Sequence, residues 1–196
     1  MISSPCRPLA SRVPVASRRL VVAAALVSAL LLSVAAPAGA ASPKAWTASV
    51  CGALDTWVTQ IGKASAKTAE VAPKSAADVK KRLGKLLTTA QQQTKTLVGE
   101  LKDAGKPDVK GGQQIAATMR EGFAQSQRTI TQAKKSLAQA STKDPQTFTT
   151  AARTAQDALE AGLEAIQAAF SAARTADAPP LLTAFAANED CQVVSA

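Results

Sequence analysis

Apolar residues recur along this chain at steps of three and four from residue 43 onward, the spacing that lines one face of an α-helix. Trp46, Val50, Leu54, Trp57 and Ile61 form the first such stripe, with Val58 beside them. Pro43 suits its first helical position, the pattern fades near Glu70, and Pro73 ends it. A second helix opens at Ser75, whose hydroxyl, with Asp78 three residues on, resembles a capping box. Its stripe runs Val79, Leu83, Leu86, Ala90, Thr94, Leu97 and Leu101. Ala104-Gly105-Lys106-Pro107 closes it, because glycine accepts the left-handed cap conformation and proline forbids continuation.

The third stripe is Ile115, Met119, Phe123, Ser126, Ile130, Ala133 and Leu137. Asp108 is a candidate cap for it, although Gly111-Gly112 would weaken that first turn. Asp144 as N-cap and Pro145 at the first helical position open the fourth. Phe148, Ala152, Ala155, Leu159, Gly162, Ile166 and Phe170 follow, with Leu159 at the centre of this stripe as Leu86 is of the second. After Asp177 come Pro179-Pro180, a short apolar piece (Leu181, Leu182, Phe185) and a tail carrying Cys191.

Four amphipathic helices joined by short turns predict an all-α fold. The expected form is an antiparallel up-down-up-down four-helix bundle, with a short C-terminal helical tail folded back on it. Few β-branched or aromatic runs exist to build sheets. Hydrophobic residues make up 46% of the chain but aromatics only 3%, so the expected core is thin, closely approached and rich in alanine.

The residues ahead of the first helix follow a different rule. Arg18-Arg19 ends a cationic stretch, an uncharged apolar run from Leu20 to Ala36 follows, and Pro37-Ala38-Gly39-Ala40 supplies small residues of the kind signal peptidase cleaves after. Residues 1–40 are therefore expected to be a cleaved secretory signal, and residues 41–196 a single helical-bundle domain that is secreted or wall-associated. No membrane span is expected after cleavage. Ser17-Arg18-Arg19-Leu20-Val21-Val22 also resembles a twin-arginine signal, so both the general secretory and the twin-arginine routes stay open. Ala41 occupies the position where a lipoprotein would need cysteine.

Export changes how the cysteines are read. Cys6 leaves with the signal, and Cys51 and Cys191 remain in an oxidising compartment, which predicts a disulfide between them. Three chain reversals put the start of the first helix and the end of the fourth at the same end of the bundle. Cys51 lies roughly 12 Å into its helix at 1.5 Å per residue, within reach of the tail.

Charge and composition then narrow the function. The net charge is +9, and it falls to +5 when four arginines and no acids leave with residues 1–40. That is too weak an argument for nucleic acid as partner. The chain has no histidine and no tyrosine, which removes His-based acid–base catalysis, His-dependent nucleophile systems and imidazole metal sites. No Gly-x-Gly-x-x-Gly or Gly-Lys-Ser/Thr phosphate loop is present. No cofactor is expected, and a histidine-free enzyme is the weakest reading. Asp157, Glu160 and Glu164 fall within about 60° of one another on a helical wheel, with Arg153 on the same side. They lie opposite the apolar stripe, where a solvated, salt-bridged face is expected rather than a metal site.

Two candidate binding features remain. Lys74, Lys81 and Lys85 stack on the outer side of the second helix, flanked by Lys80, Arg82 and Lys95. They could contact anionic cell-wall polymer or lipid headgroups, and an envelope protein is the other candidate partner. Trp46 and Trp57, eleven residues and three helical turns apart, share a stripe and with Phe185 could line an apolar groove for a small molecule. The alternative for these aromatics is an ordinary core, with the tail packing over Trp46.

Ala45-Trp46-x4-Cys51-x2-Leu54-x2-Trp57, the Ala104-Gly105-Lys106-Pro107-Asp108-Val109 turn, Asp144-Pro145 and the closing Phe185-x5-Cys191 together resemble a group of small exported alanine-rich helical proteins of actinobacteria. The resemblance covers essentially the whole of residues 41–196. It implies an exported helical fold and, the group being functionally uncharacterised, carries no active site with it. The expectation is thus a secreted, non-catalytic helical protein with a binding or structural role, a carrier of an apolar small molecule being the alternative.

Overall fold

A computed structural model describes residues 39–70, 72–175 and 177–191, so the expected signal segment up to Ala38 lies outside the described residues. The order of elements is α1 (Pro43–Ala69), α2 (Ala76–Asp103), α3 (Gly112–Gln139), α4 (Pro145–Thr175) and α5 (Pro179–Ala186). No strand occurs among the described residues, and one isolated β-bridge joins Ala41 to Pro107. No described helix is long and apolar enough to cross a membrane.

Side-chain caps set most of the helix starts. Ser42 Oγ accepts from Ala45 N at 3.3 Å, with Pro43 at the first helical position. Ser75 Oγ accepts from Asp78 N at 3.2 Å, the expected half of a capping box. The other half is displaced by one residue: Asp78 Oδ2 accepts from the backbone N–H of Lys74, also at 3.2 Å. Asp144 accepts from the backbone N–H groups of Gln146 and Thr147 and from the Thr147 hydroxyl. The Thr147 hydroxyl, then the Thr147 and Gln146 amides, hold the Asp144 carboxyl below its ordinary value.

Helix α3 starts differently from expectation. Asp108 is not its cap; Gly111 is, at φ 75°, with no side-chain hydrogen bond. The glycine pair that looks like a weakness is what the turn requires. Gly111 supplies the left-handed conformation, and a Cβ on Gly112 would lie 2.1 Å from the Pro107 carbonyl oxygen.

Sequential helices lie side by side, α1 on α2, α2 on α3 and α3 on α4, with α5 against α1. The start of α1 meets the end of α2, where Trp46 Nε1 donates to Gly105 O at 3.3 Å. The start of α2 meets the end of α3, where Lys80 Nζ donates to Ala138 O at 2.9 Å and Ala140 O at 2.6 Å. Cys51 and Cys191 form a disulfide across 140 residues, with their Cα atoms 5.0 Å apart. By the chain-entropy model, closing a loop of that length stabilises by about 5 kcal/mol.

The core has two parts. One gathers Trp46, Leu54, Trp57, Leu97, Met119, Phe123, Ile166, Leu181 and the disulfide. The other is built by α2, α3 and α4 alone from Leu87, Ala90, Ile130, Ala133, Leu137, Ala155 and Ala158, with Ile61 of α1 only half-buried against it. Beyond Ile61, α1 buries no residue. Its last two turns therefore stand at the edge of the structure, held through contacts with α2.

Two stripe centres differ from expectation. Leu86 is buried but at the margin (7% exposed), whereas Leu87 is wholly buried. On α4 the wholly buried positions are Ala155 and Ala158, and Leu159 is half-buried. On α4 small residues suit the closeness of α3. Gly122 of α3 lies so close to Ala165 of α4 that an added Cβ would be 3.1 Å from the alanine's, and only small side chains fit such a seam.

Candidate functional site

The basic residues near the start of α2 divide into two groups with different employment. Lys80 is half-buried and caps the C-terminal carbonyls of α3, a favourable place for a cation. Arg82 forms an ion pair with Asp78 at 2.7 Å, and its other terminal nitrogen donates to the Thr68 carbonyl at 3.5 Å, tying the end of α1 to the start of α2. Asp78 organises this corner, accepting from Arg82 and from the Lys74 amide. The Arg82 hydrogen bond first, then the Lys74 amide and the nearby charges of Arg82 and Lys81, hold its carboxyl below the ordinary value.

Lys74, Lys81 and Lys85 are exposed, but only Lys81 and Lys85 stand on α2; Lys74, expected on the outer side of that helix, lies before its Ser75 cap in the α1–α2 connection. The structure brings two of them together: Lys74 and Lys85 line a cleft of about 860 Å³ between the end of α1 and the first half of α2. Lys81 stands outside that lining, on the outer face of α2. The third free lysine of the cleft is Lys67, contributed by α1. Reading each helix singly misses Lys67, because the hairpin brings it opposite α2. Its place in the last turn of α1, where a cation complements the helix dipole, is the one local signal it carries.

The cleft holds four cations (Lys67, Lys74, Arg82, Lys85) against one carboxylate, Asp78, and the hydroxyl residues Thr68, Ser75 and Thr89 also line it. Among the described residues, no protein group accepts a hydrogen bond or ion pair from the ammoniums of Lys67, Lys74 or Lys85. Such an arrangement can receive the oxygens of phosphate or carboxylate groups through charge-assisted hydrogen bonds.

Trp46, Trp57 and Phe185 are all buried, at 1%, 4% and 8% exposure. Trp46 and Phe185 meet edge-on with ring centroids 6.1 Å apart, and Phe170 packs on Phe185 at 4.9 Å. Trp57 lies apart from that pair. It meets Phe123 edge-on at 5.6 Å, and its Nε1 donates to the buried hydroxyl of Thr94 at 3.0 Å. The space around each of these rings is occupied by the protein's own side chains.

Asp157, Glu160 and Glu164 are exposed on α4, and no group of potential metal ligands is assembled among the described residues. The face is solvated but differs from expectation in lacking an ion pair between Arg153 and Asp157. Glu160 accepts from Gln156 Nε2 at 3.5 Å. Two buried hydroxyls, of Thr47 and Ser126, lack a hydrogen-bond partner.

No family model matches this chain. No curated protein and no solved structure matches it either.

Proposed function

We propose that this is an exported, non-catalytic binding protein that contacts anionic polymer outside the cell through the cleft between α1 and α2. In this reading residues 1–40 are removed as a signal peptide. Residues 41–196 then fold as a bundle whose four long helices alternate in direction. The head-to-tail contacts of Trp46 with Gly105 and of Lys80 with Ala138 and Ala140 support that alternation. The disulfide suits an oxidising compartment.

The observation that carries the binding reading is the cleft itself. Three lysines, Lys67 of α1, Lys74 of the α1–α2 connection and Lys85 of α2, converge on it with their charges unspent inside the protein. Like charges held close raise each other's free energy, and a polyanion relieves that cost while releasing its own counterions. Lys81, one turn away on α2, extends the same field along the outer face.

The test is sedimentation of the protein with isolated cell envelope across a salt series. Binding through these lysines weakens steeply as salt shortens the Debye length from about 10 Å at 0.1 M to about 3 Å at 1 M. The Lys74→Ala, Lys81→Ala, Lys85→Ala triple variant should lose most of the bound fraction. Undiminished binding by that variant rejects the proposal.

A further inference from the structure

Among the described residues ahead of α1, Ala41 is fastened into the fold through its backbone. Ala41 N donates to Lys106 O at 2.9 Å, and Ala41 O accepts from Asp108 N at 2.7 Å. The loop that receives it is itself fixed. Trp46 Nε1 holds Gly105 O, Gly105 sits at φ 68°, and Gly112 leaves room for the Pro107 carbonyl. Gly39 and Ala40, the two residues before it, are exposed, and Ser42, the next residue, already caps α1. Among the described residues, the first backbone pairing with the fold thus falls on the carboxyl side of the Ala40–Ala41 peptide bond. The small residues of Ala38-Gly39-Ala40 mark the same bond for cleavage, and the two observations are independent.

We infer that the fold closes its own processing site: the Ala40–Ala41 bond is open to the peptidase only before Ala41 joins Pro107, so cleavage precedes folding. A peptidase takes its substrate as an extended segment whose backbone groups it pairs with its own. The residue on the leaving side of this bond has both its N–H and its C=O already committed to the α2–α3 loop, and the next begins a helix. Cutting the folded chain requires that bridge to open first, and the rate is scaled down by the open fraction.

Cutting beforehand costs the fold nothing. Water adds its hydroxyl to the Ala40 carbonyl carbon, which leaves as a carboxylate, and the protons go to the Ala41 nitrogen, which becomes an ammonium. That ammonium still carries an N–H for Lys106 O, and the Ala41 carbonyl is untouched. The inference rests on the export reading and bears on its two routes. It favours passage of an unfolded chain, because a precursor folded before export would be cut only through its locally open form.

The experiment is cell-free synthesis of the full-length chain in detergent under oxidising conditions. A signal peptidase is present either throughout synthesis or added only after the disulfide has formed. Cleavage of the folded chain should be about tenfold slower or more, following the population of the locally open form. Equal rates overturn the inference. In a second chain, Gly-Ser-Ala is inserted between Ala41 and Ser42, so that a second alanine occupies the bridge and the scissile bond stands clear. Folded and nascent forms of that chain should be cleaved alike, and a folded form still protected overturns the assignment of the shield to this bridge. The mass of the exported protein separately tests whether Ala41 is the new N-terminus. A different terminus there counts against the export reading and leaves the protection of the folded chain to be judged on its own rates.

Discussion

Gly162 and Gly99 lie within helices, yet the same substitution should act on them in opposite directions. A Cβ added at Gly162 would sit 2.6 Å from Trp57 Cη2 and 2.8 Å from Cζ2, whereas one at Gly99 meets nothing within 4 Å. The indole cannot swing aside, because its Nε1 is bonded to Thr94 and its ring is set against Phe123. Alanine gains up to about 1 kcal/mol over glycine in a helix interior. Overpacking a fixed core costs about 1–3 kcal/mol. Gly99→Ala should therefore stabilise by about 0.5–1 kcal/mol, and Gly162→Ala should destabilise by about 1 kcal/mol once the two effects offset. Urea melts followed by circular dichroism read both from the midpoint at unchanged slope. A Trp57→Phe background removes the two nearest ring atoms, so Gly162→Ala should lose its cost there, a coupling that a double-mutant cycle isolates. If Gly162→Ala stabilises as much as Gly99→Ala in the wild-type background, the close passage of α4 over Trp57 is wrong.

Three further outcomes follow from the packing and the caps. Leu87→Ala should cost about 2–5 kcal/mol in the same melts, and Glu160→Ala and Glu164→Ala should each stay within about 0.5 kcal/mol, since the leucine is wholly buried and the glutamates are solvated. Cys51→Ser with Cys191→Ser should lower stability by as much as about 5 kcal/mol, read against the oxidised parent in non-reducing buffer. Asp78 and Asp144 have carboxyls held below the ordinary value of 3.8, so their contribution is present above that value and is lost as the pH falls through the depressed folded-state values. Thermal melts from pH 5 downward should show this loss, and Asp144→Asn should show less of it; an identical acid profile would argue against the cap.

The helices were legible in the sequence because caps, prolines and three-four periodicity are local signals. Pro43 opens α1, Ser75 and Asp144 cap where their neighbours indicate, and Gly105 ends α2 as its place before Lys106-Pro107 implies. The disulfide was legible for a different reason, since Cys6 lies in the expected signal segment and Cys51 and Cys191 are the cysteines that follow it. What escaped depends on how one helix meets another. Hydropathy ranks Leu159 above Ala158, but the closeness of α3 and α4 puts the alanine inside and leaves the leucine half-buried. Leu87 was passed over for Leu86 because a one-residue step turns the helix by only about 100°, and nothing along α2 alone says which side its neighbours take. The candidate site shows the same limit. A helical wheel groups Lys74 with Lys85, but Lys74 precedes the Ser75 cap and reaches the cleft from the α1–α2 connection. Lys67 joins them only because α1 turns back beside α2. Gly111-Gly112 looked like a defect because the Pro107 carbonyl that demands it lies outside any single helix.

The most direct test of the account is a residue-resolved titration of the Ala41-initiated protein with a glycerol-phosphate polymer, followed by nitrogen–proton NMR. The account predicts shifts concentrated at residues 64–68 and 74–89, collapsing as salt is raised and absent in the Lys67→Gln, Lys74→Gln, Lys85→Gln variant. No shifts at low salt, or salt-independent shifts centred on Trp46 and Phe185 at the other end of α1, would contradict it.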